Sequence, residues 1–146
     1  MFKNILFATD GSAASEHAAQ LAVKLARRHD SRLTAVYVVD PYPYLGIGEA
    51  NPVGMNAYLS AAREHAAAAH AKIGELAAKD GGHIQLECVL LEDVTADKGI
   101  LRAAENTKAD LVVVGSHGRT GIQRLILGSI AAKVVAASPV PVLVAR

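Results

Sequence analysis

The residues best placed to do chemistry fall in one glycine-rich stretch. Gly115-Ser116-His117-Gly118 follows an apolar run, and after nine further residues Gly128-Ser129 opens a helical pattern. A glycine directly after a strand lets the chain turn sharply and lets a ligand approach with no Cβ in the way. Gly128 and Ser129 at a helix N-terminus would present outward-pointing amides, a hydroxyl and the positive end of the helix dipole, which together suit an anion. A glycine-rich connection ending in an ordinary helix cap has the same composition, and the glycines alone do not separate the two. The stretch is not a Walker loop, because no Gly-Lys-Ser/Thr follows, and not the dinucleotide fingerprint, because Gly-x-Gly-x-x-Gly is absent. The second candidate is Asp10, which closes the apolar run 5–8 in Thr9-Asp10-Gly11. A carboxylate there can cap the following turn, and it can equally meet a ribose hydroxyl or a magnesium ion.

Other polar residues carry less. His117 has no carboxylate near it in sequence, so a place in the loop is favoured over a role as general base. Arg119 and Arg124 could neutralise phosphate, and Arg124 suits a solvated surface equally. His65 and His70 are five apart on a helical pattern, which puts them on different faces and excludes a metal pair within the helix. Both are read as surface histidines, and His17, His29 and His83 have no ligand-like spacing. Cys88 reads as a small buried hydrophobe within a strand.

The elements that must position these groups alternate. Residues 5–8 and 111–114 are apolar throughout, the signature of strands buried on both faces of a parallel sheet. Residues 33–39, 84–91 and 140–145 read as the other strands. Ser12 caps a first helix that ends near Asp30, with Ala14, Ala18, Leu21, Ala22 and Leu25 inward. Residues 40–57 contain Pro41, Pro43, Pro52, Gly46, Gly48 and Gly54 and read as an irregular loop. Residues 58–79 form an Ala-rich helix stopped at Gly81-Gly82, with Ala62, Ala66, Ala69, Ile73 and Leu76 inward. Residues 97–107 and 128–137 are the remaining helices. The β-α alternation predicts one domain, residues 1–146, with a parallel sheet and helices on both faces. In such sheets ligands bind beyond the carboxyl ends of the strands, which singles out Asp10, Val38-Val39-Asp40 and Gly115-Ser116-His117-Gly118.

Composition sets the outer limits. Fifteen basic and fourteen acidic residues leave a net charge of +1, too even for a dedicated nucleic-acid binder. No segment approaches the ~20 apolar residues of a membrane span. The N-terminus reaches Asp10 too soon for a signal peptide. The lone cysteine excludes an intrachain disulfide. The expectation is a soluble cytoplasmic protein.

Gly115-x2-Gly118-x9-Gly128-Ser129 resembles the nucleotide-binding signature of the universal stress protein family. The resemblance extends along the chain: Ala8-Thr9-Asp10, Tyr37-Val38-Val39-Asp40 and the closing Ser138-Pro139-Val140-Pro141-Val142-Leu143-Val144 match in position and order. It implies an adenine-nucleotide α-hydrolase-like α/β fold, an open five-stranded parallel sheet of order 3-2-1-4-5, and ATP as the ligand with Mg or Mn beside it. Gly115, Gly118, Gly128 and Ser129 would then hold ribose and phosphates, with Ser116, His117 and Arg119 lining the loop and Ile130 adding its amide. Asp10, with Ala8 beside it, would meet ribose or metal, and the Val38 main chain would meet the adenine edge. The resemblance further implies a homodimer through the C-terminal strand from Val140 to Ala145. Residues 94–99 depart from the family pattern. Two other readings keep the same fold: a slow ATP hydrolase on this site, and an interaction module that binds no nucleotide. No residue is assigned a catalytic role.

Overall fold

The computed structural model describes residues 1–42, 52–79, 82–117 and 127–146. Gly118, Arg119, Gly121, Arg124, Tyr44 and Gly81 lie outside the described residues. The chain runs β1 (Asn4–Ala8), α1 (Ala13–His29), β2 (Arg32–Val39), α2 (Pro52–Ala78), β3 (Gln85–Glu92), α3 (Ala96–Asn106), β4 (Leu111–Gly115), α4 (Ser129–Ala137) and β5 (Val142–Ala145). All strand pairs are parallel and the sheet order is β3-β2-β1-β4-β5. The order reverses direction between β1 and β4, so the loops after these strands lead to opposite faces and part there.

Burial explains why the central strands are apolar on both sides. Ile5, Phe7, Leu33 and Val113 join Ala18, Ala22, Val23 and Ala26 of α1 and Ile73 of α2 in one core. Leu6, Val36, Val112 and Val114 join Ile100, Ala103 and Ala104 of α3 and Val134 of α4 in the other. Successive residues of a strand point to opposite faces, so each needs an apolar side chain when both faces are covered.

The helix ends follow local chemistry. Ser12 caps α1, its side chain accepting from the Ser15 amide at 3.3 Å, and Asp30 closes the helix in the left-handed region at φ 53°. The buried stripe of α1 is Ser15, Ala18, Ala19, Ala22, Val23 and Ala26. It is rotated from the expected one, leaving Ala14 exposed and Leu21 and Leu25 half-buried. Helix α2 starts at Pro52, so residues 52–57 are helical rather than loop. Proline is tolerated at the first helical position, where its missing N–H has no acceptor to lose. At the far end Arg27 Nη2 donates to the carbonyls of Leu76 (3.2 Å), Ala77 (2.9 Å) and Lys79. A guanidinium there satisfies orphan carbonyls and opposes the negative end of the dipole. Strand β5 starts at Val142, after Pro141, because proline has no N–H for the ladder.

Two sequence expectations fail at the β3 edge. Cys88 is exposed on β3, which is the last strand of the sheet on its side and, among the described residues, has one strand neighbour, β2. His70 is half-buried against β2, with Nε2 shut away from solvent and no partner among the described residues. Desolvation lowers its pKa from the ordinary 6.5, and the nearby Ala35 main chain offsets this in part. The folded state therefore holds His70 neutral at pH values where the unfolded chain is already protonated. Stability should fall as pH drops through 6.5 and level off below the folded pKa. In His70→Gln that part of the pH dependence should vanish from urea unfolding curves measured between neutral and mildly acidic pH.

Candidate functional site

The carboxyl ends of β1, β2 and β4 and the N-termini of α3 and α4 enclose a cavity of ≈ 470 Å³. That is the size of an ordinary small-molecule site, ~300–1,000 Å³. Ala8, Asp10, Val38, Gly115, Ser116, His117, Gly128, Ser129 and Ile130 all line it.

On the β1 side the chain turns away at once. The Thr9 amide makes the last ladder bond, to the Val36 carbonyl at 3.0 Å. Thr9 Oγ1 then accepts from the Gly11 amide (3.1 Å), and Asp10 Oδ1 accepts from the Ser12 amide (2.9 Å). Asp10 thus fills the turn-capping role, and its carboxylate still lines the cavity. Gly11 sits at φ 75°, a conformation that favours glycine.

Strand β2 continues where β1 has stopped. The Arg32 amide bonds to the Lys3 carbonyl and the Val36 carbonyl receives Thr9, so residues 32, 34 and 36 turn their polar main-chain groups toward β1. The same alternation turns the N–H and C=O of Val38 that way, past the last register pair, Ala8 with Val36. One donor and one acceptor of β2 are therefore presented to the cavity instead of to a strand.

The β4 side is held by a short clasp. The Ser116 amide bonds to the Ala145 carbonyl (2.8 Å), and the Gly128 amide bonds to the Ser116 carbonyl (2.7 Å). This brings the start of α4 against the end of β4. Gly128 is the N-cap, and among the described residues no side chain caps the helix. The ladder begins with the Ala132 amide on the Gly128 carbonyl, so the amides of Ser129, Ile130 and Ala131 have no intrahelical acceptor. Ser116 is buried, and its Oγ lies 2.8 Å from His117 Nδ1.

The glycines serve the protein's own packing. A Cβ on Gly128 would lie 2.9 Å from the Ser116 carbonyl oxygen, so the side chain is excluded there by backbone, not by ligand space. Gly115 is different: a Cβ there would lie 3.4 Å from the His117 carbonyl oxygen and 3.7 Å from that of Ala14, ordinary contact distances, so packing does not demand a glycine. The tightest case is Gly99, where a Cβ would come within 2.7 Å and 2.8 Å of the two Val38 methyl carbons. Its absence lets α3 lie directly on β2 and brings Ala96 and Ile100 into the cavity wall.

Sequence reasoning missed the far wall. Tyr58, Ala61, Ala62 and His65 of α2 line the cavity, together with Asp40, which the strand-end rule had already singled out. The Tyr58 hydroxyl donates to the Asp40 carbonyl (2.8 Å), and its ring lies 5.5 Å from that of Tyr42. Arg63 ties the same helix to β3 by a two-pronged bond to Glu92, at 2.6 Å and 3.0 Å. Asp40 Oδ1 accepts from the Ala96 amide (3.2 Å), doing for α3 what Thr95, the N-cap residue, does not. The missed signal was length. A 27-residue helix is roughly 40 Å long, whereas the eight residues of β2 span about 26 Å. The surplus overhangs the sheet.

An open α/β sheet with a crevice at its switch point and main-chain donors around it defines a class of small-ligand-binding proteins. The whole chain, residues 1–146, matches the universal stress protein family, and it belongs to that family. It is 36% identical over 146 residues to universal stress protein MJ0531 of Methanocaldococcus jannaschii, covering 100% of this chain and 83% of that protein. A universal stress protein of Thermus aquaticus is 39% identical over 147 residues, covering 100% of both. Among solved structures, UspA of Lactobacillus plantarum superposes with a TM-score of 0.79 at 29% identity, covering 99% of this chain and 97% of that one. The same fold occurs at 24% identity in a universal stress protein in complex with cAMP (TM-score 0.73, 99% and 97% covered). It occurs at 22% in one from Archaeoglobus fulgidus in complex with dAMP (TM-score 0.63, 99% and 98% covered).

Gly99→Ala tests the packing that places the α3 wall. Overpacking against a stiff valine costs roughly 1–3 kcal/mol, against about 1 kcal/mol gained in helix propensity. The expected result is a lower urea midpoint with an unchanged slope.

Proposed function

We propose that this chain binds ATP in the cavity described, with Mg or Mn at the phosphates, and acts as a cytoplasmic stress-response homodimer. The observation that carries the reading is the convergence on one cavity of main-chain groups with no partner among the described residues. Val38 offers a donor and an acceptor beyond the end of β1, and α4 offers an uncapped N-terminus. The first pair suits the edge of a planar base; the second suits phosphate. The two fold neighbours in complex with cAMP and dAMP support an adenine nucleotide at the level of the fold.

In this reading Val38 meets the adenine, with Ala8 beside Asp10 at the ribose. Gly115, Ser116, His117, Gly118, Arg119, Gly128, Ser129 and Ile130 surround ribose and phosphates. For the metal the cavity offers the carboxylate of Asp10. Mg²⁺ typically takes one or two carboxylates plus phosphate oxygens and water, and Asp10 supplies one carboxylate. When bound, the ion would screen the triphosphate charge. No described helix is long and apolar enough to cross a membrane.

The dimer reading rests on β5. Among the described residues strand β5 pairs only with β4 and is the last strand of the sheet on that side. Pro141 and Ala145 turn their carbonyls to β4, accepting from Val112 and Ser116. By alternation Val142 and Val144 present their polar groups outward, ready for another strand.

ATP binding is tested by denaturing protein purified without added ligand, identifying any released nucleotide by mass spectrometry, and titrating Mg-ATP by calorimetry. Asp10→Ala should weaken binding at least tenfold, about 1.4 kcal/mol. No heat with Mg-ATP, and no nucleotide released, would overturn the reading. For the dimer, Val144→Pro removes one outward N–H and no bond to β4. Sedimentation should show wild-type dimer and variant monomer, and a variant that stays dimeric would place the interface elsewhere.

A further inference from the structure

We infer that Asp40 is a specificity-determining residue of the proposed site: its carboxylate accepts a hydrogen bond from the 6-amino group of the purine and excludes 6-oxo purines. The inference rests on the reading of the cavity as an adenine-nucleotide site and adds the group that tells one purine from another.

Asp40 follows β2 two residues after Val38, and both line the cavity. Its position is fixed from two sides. The Tyr58 hydroxyl of α2 donates to its main-chain carbonyl at 2.8 Å, and the Ala96 amide at the head of α3 donates to Oδ1 at 3.2 Å. Those two bonds leave Oδ2 with no protein partner among the described residues. An ionised carboxylate is acceptor-only. The polar edge of the cavity beside Val38 therefore carries one main-chain donor, one main-chain acceptor and one further acceptor.

That pattern separates the purines. Adenine presents at position 6 an amine with two protons, one for the Val38 carbonyl and one for Asp40. Hypoxanthine and guanine present an oxygen there, which would face two acceptors and gain no hydrogen bond. Asp40 is exposed before a ligand arrives, so a base seated against it displaces water from Oδ2, and an oxo group there returns no hydrogen bond for the one removed.

The test is calorimetric titration of wild type, Asp40→Asn and Asp40→Ser with Mg-ATP and Mg-ITP, with a thermal melt on each variant. Asparagine also caps helices well, so its Oδ1 keeps the Ala96 bond and its amide puts a donor where Oδ2 was. Wild type should prefer ATP over ITP by at least tenfold, and Asp40→Asn should lower that ratio at least tenfold. Asp40→Ser retains a capping hydroxyl, is too short to reach the base, and should lower the ratio as well if the asparagine variant does not fold. An unchanged ratio in the folded variants would overturn the role of Asp40 and leave ATP binding intact. Equal wild-type affinity for ATP and ITP would do the same. A wild-type protein that binds neither nucleotide would overturn both readings.

Discussion

Strand β1 stops pairing one residue beyond Ala8, and its neighbour β2 does not stop with it. Every main-chain amide and carbonyl in a folded protein needs a partner, so unequal strand ends inside a sheet create a demand that the sheet cannot meet. Here the demand falls on Val38, with β1 gone from its side. The second demand, at the head of α4, is brought to the same place by the bond between Gly128 and Ser116. The cavity is thus a region where, among the described residues, main-chain groups of β2 and α4 have no partner within the sheet or helix.

Those boundaries depend on very close packing. Gly99 and Gly128 permit approaches that a single Cβ would prevent, one between helix and strand and one between loop and loop. Neither contact involves a ligand. A glycine-rich signature is commonly taken to mean room for phosphate, and in this chain part of it means room for the protein itself. Helix α2 is held comparably, by Arg27 at its end and by Tyr58 and Arg63 near its start. Its cavity-facing stretch lies near the latter two.

Much of this could be read from the residues. The alternation of doubly apolar runs with Ala-rich amphipathic ones set the element order, because burial on two faces leaves a strand no polar position. The strand order came from the resemblance of the glycine signature and strand ends to a known family, and the sheet has that order. Described members of the expected site lie on one cavity, while Gly118 and Arg119 fall outside the described residues. What escaped was set by tertiary context. The start of α2 was hidden because Pro52 and Gly54 look like loop residues although proline suits a first turn. The exposure of Cys88 depends on β3 being an edge strand, which no local pattern encodes. Tyr58 is an ordinary residue until β2, α2 and α3 meet, and the strand-end rule that marked Asp40 does not reach its bonds to Tyr58 and Ala96.

The exposed Cys88 has a consequence for oxidation. It is the chain's one cysteine, so any disulfide must join two molecules. Such a bridge would link them through β3, at the opposite margin of the sheet from β5. Partial desolvation, with the Glu87 carboxylate beside it, raises the thiol pKa above its ordinary value and keeps the reactive thiolate scarce at neutral pH. A covalent pair on a non-reducing gel would join two β3 margins and would not mark an assembly through β5.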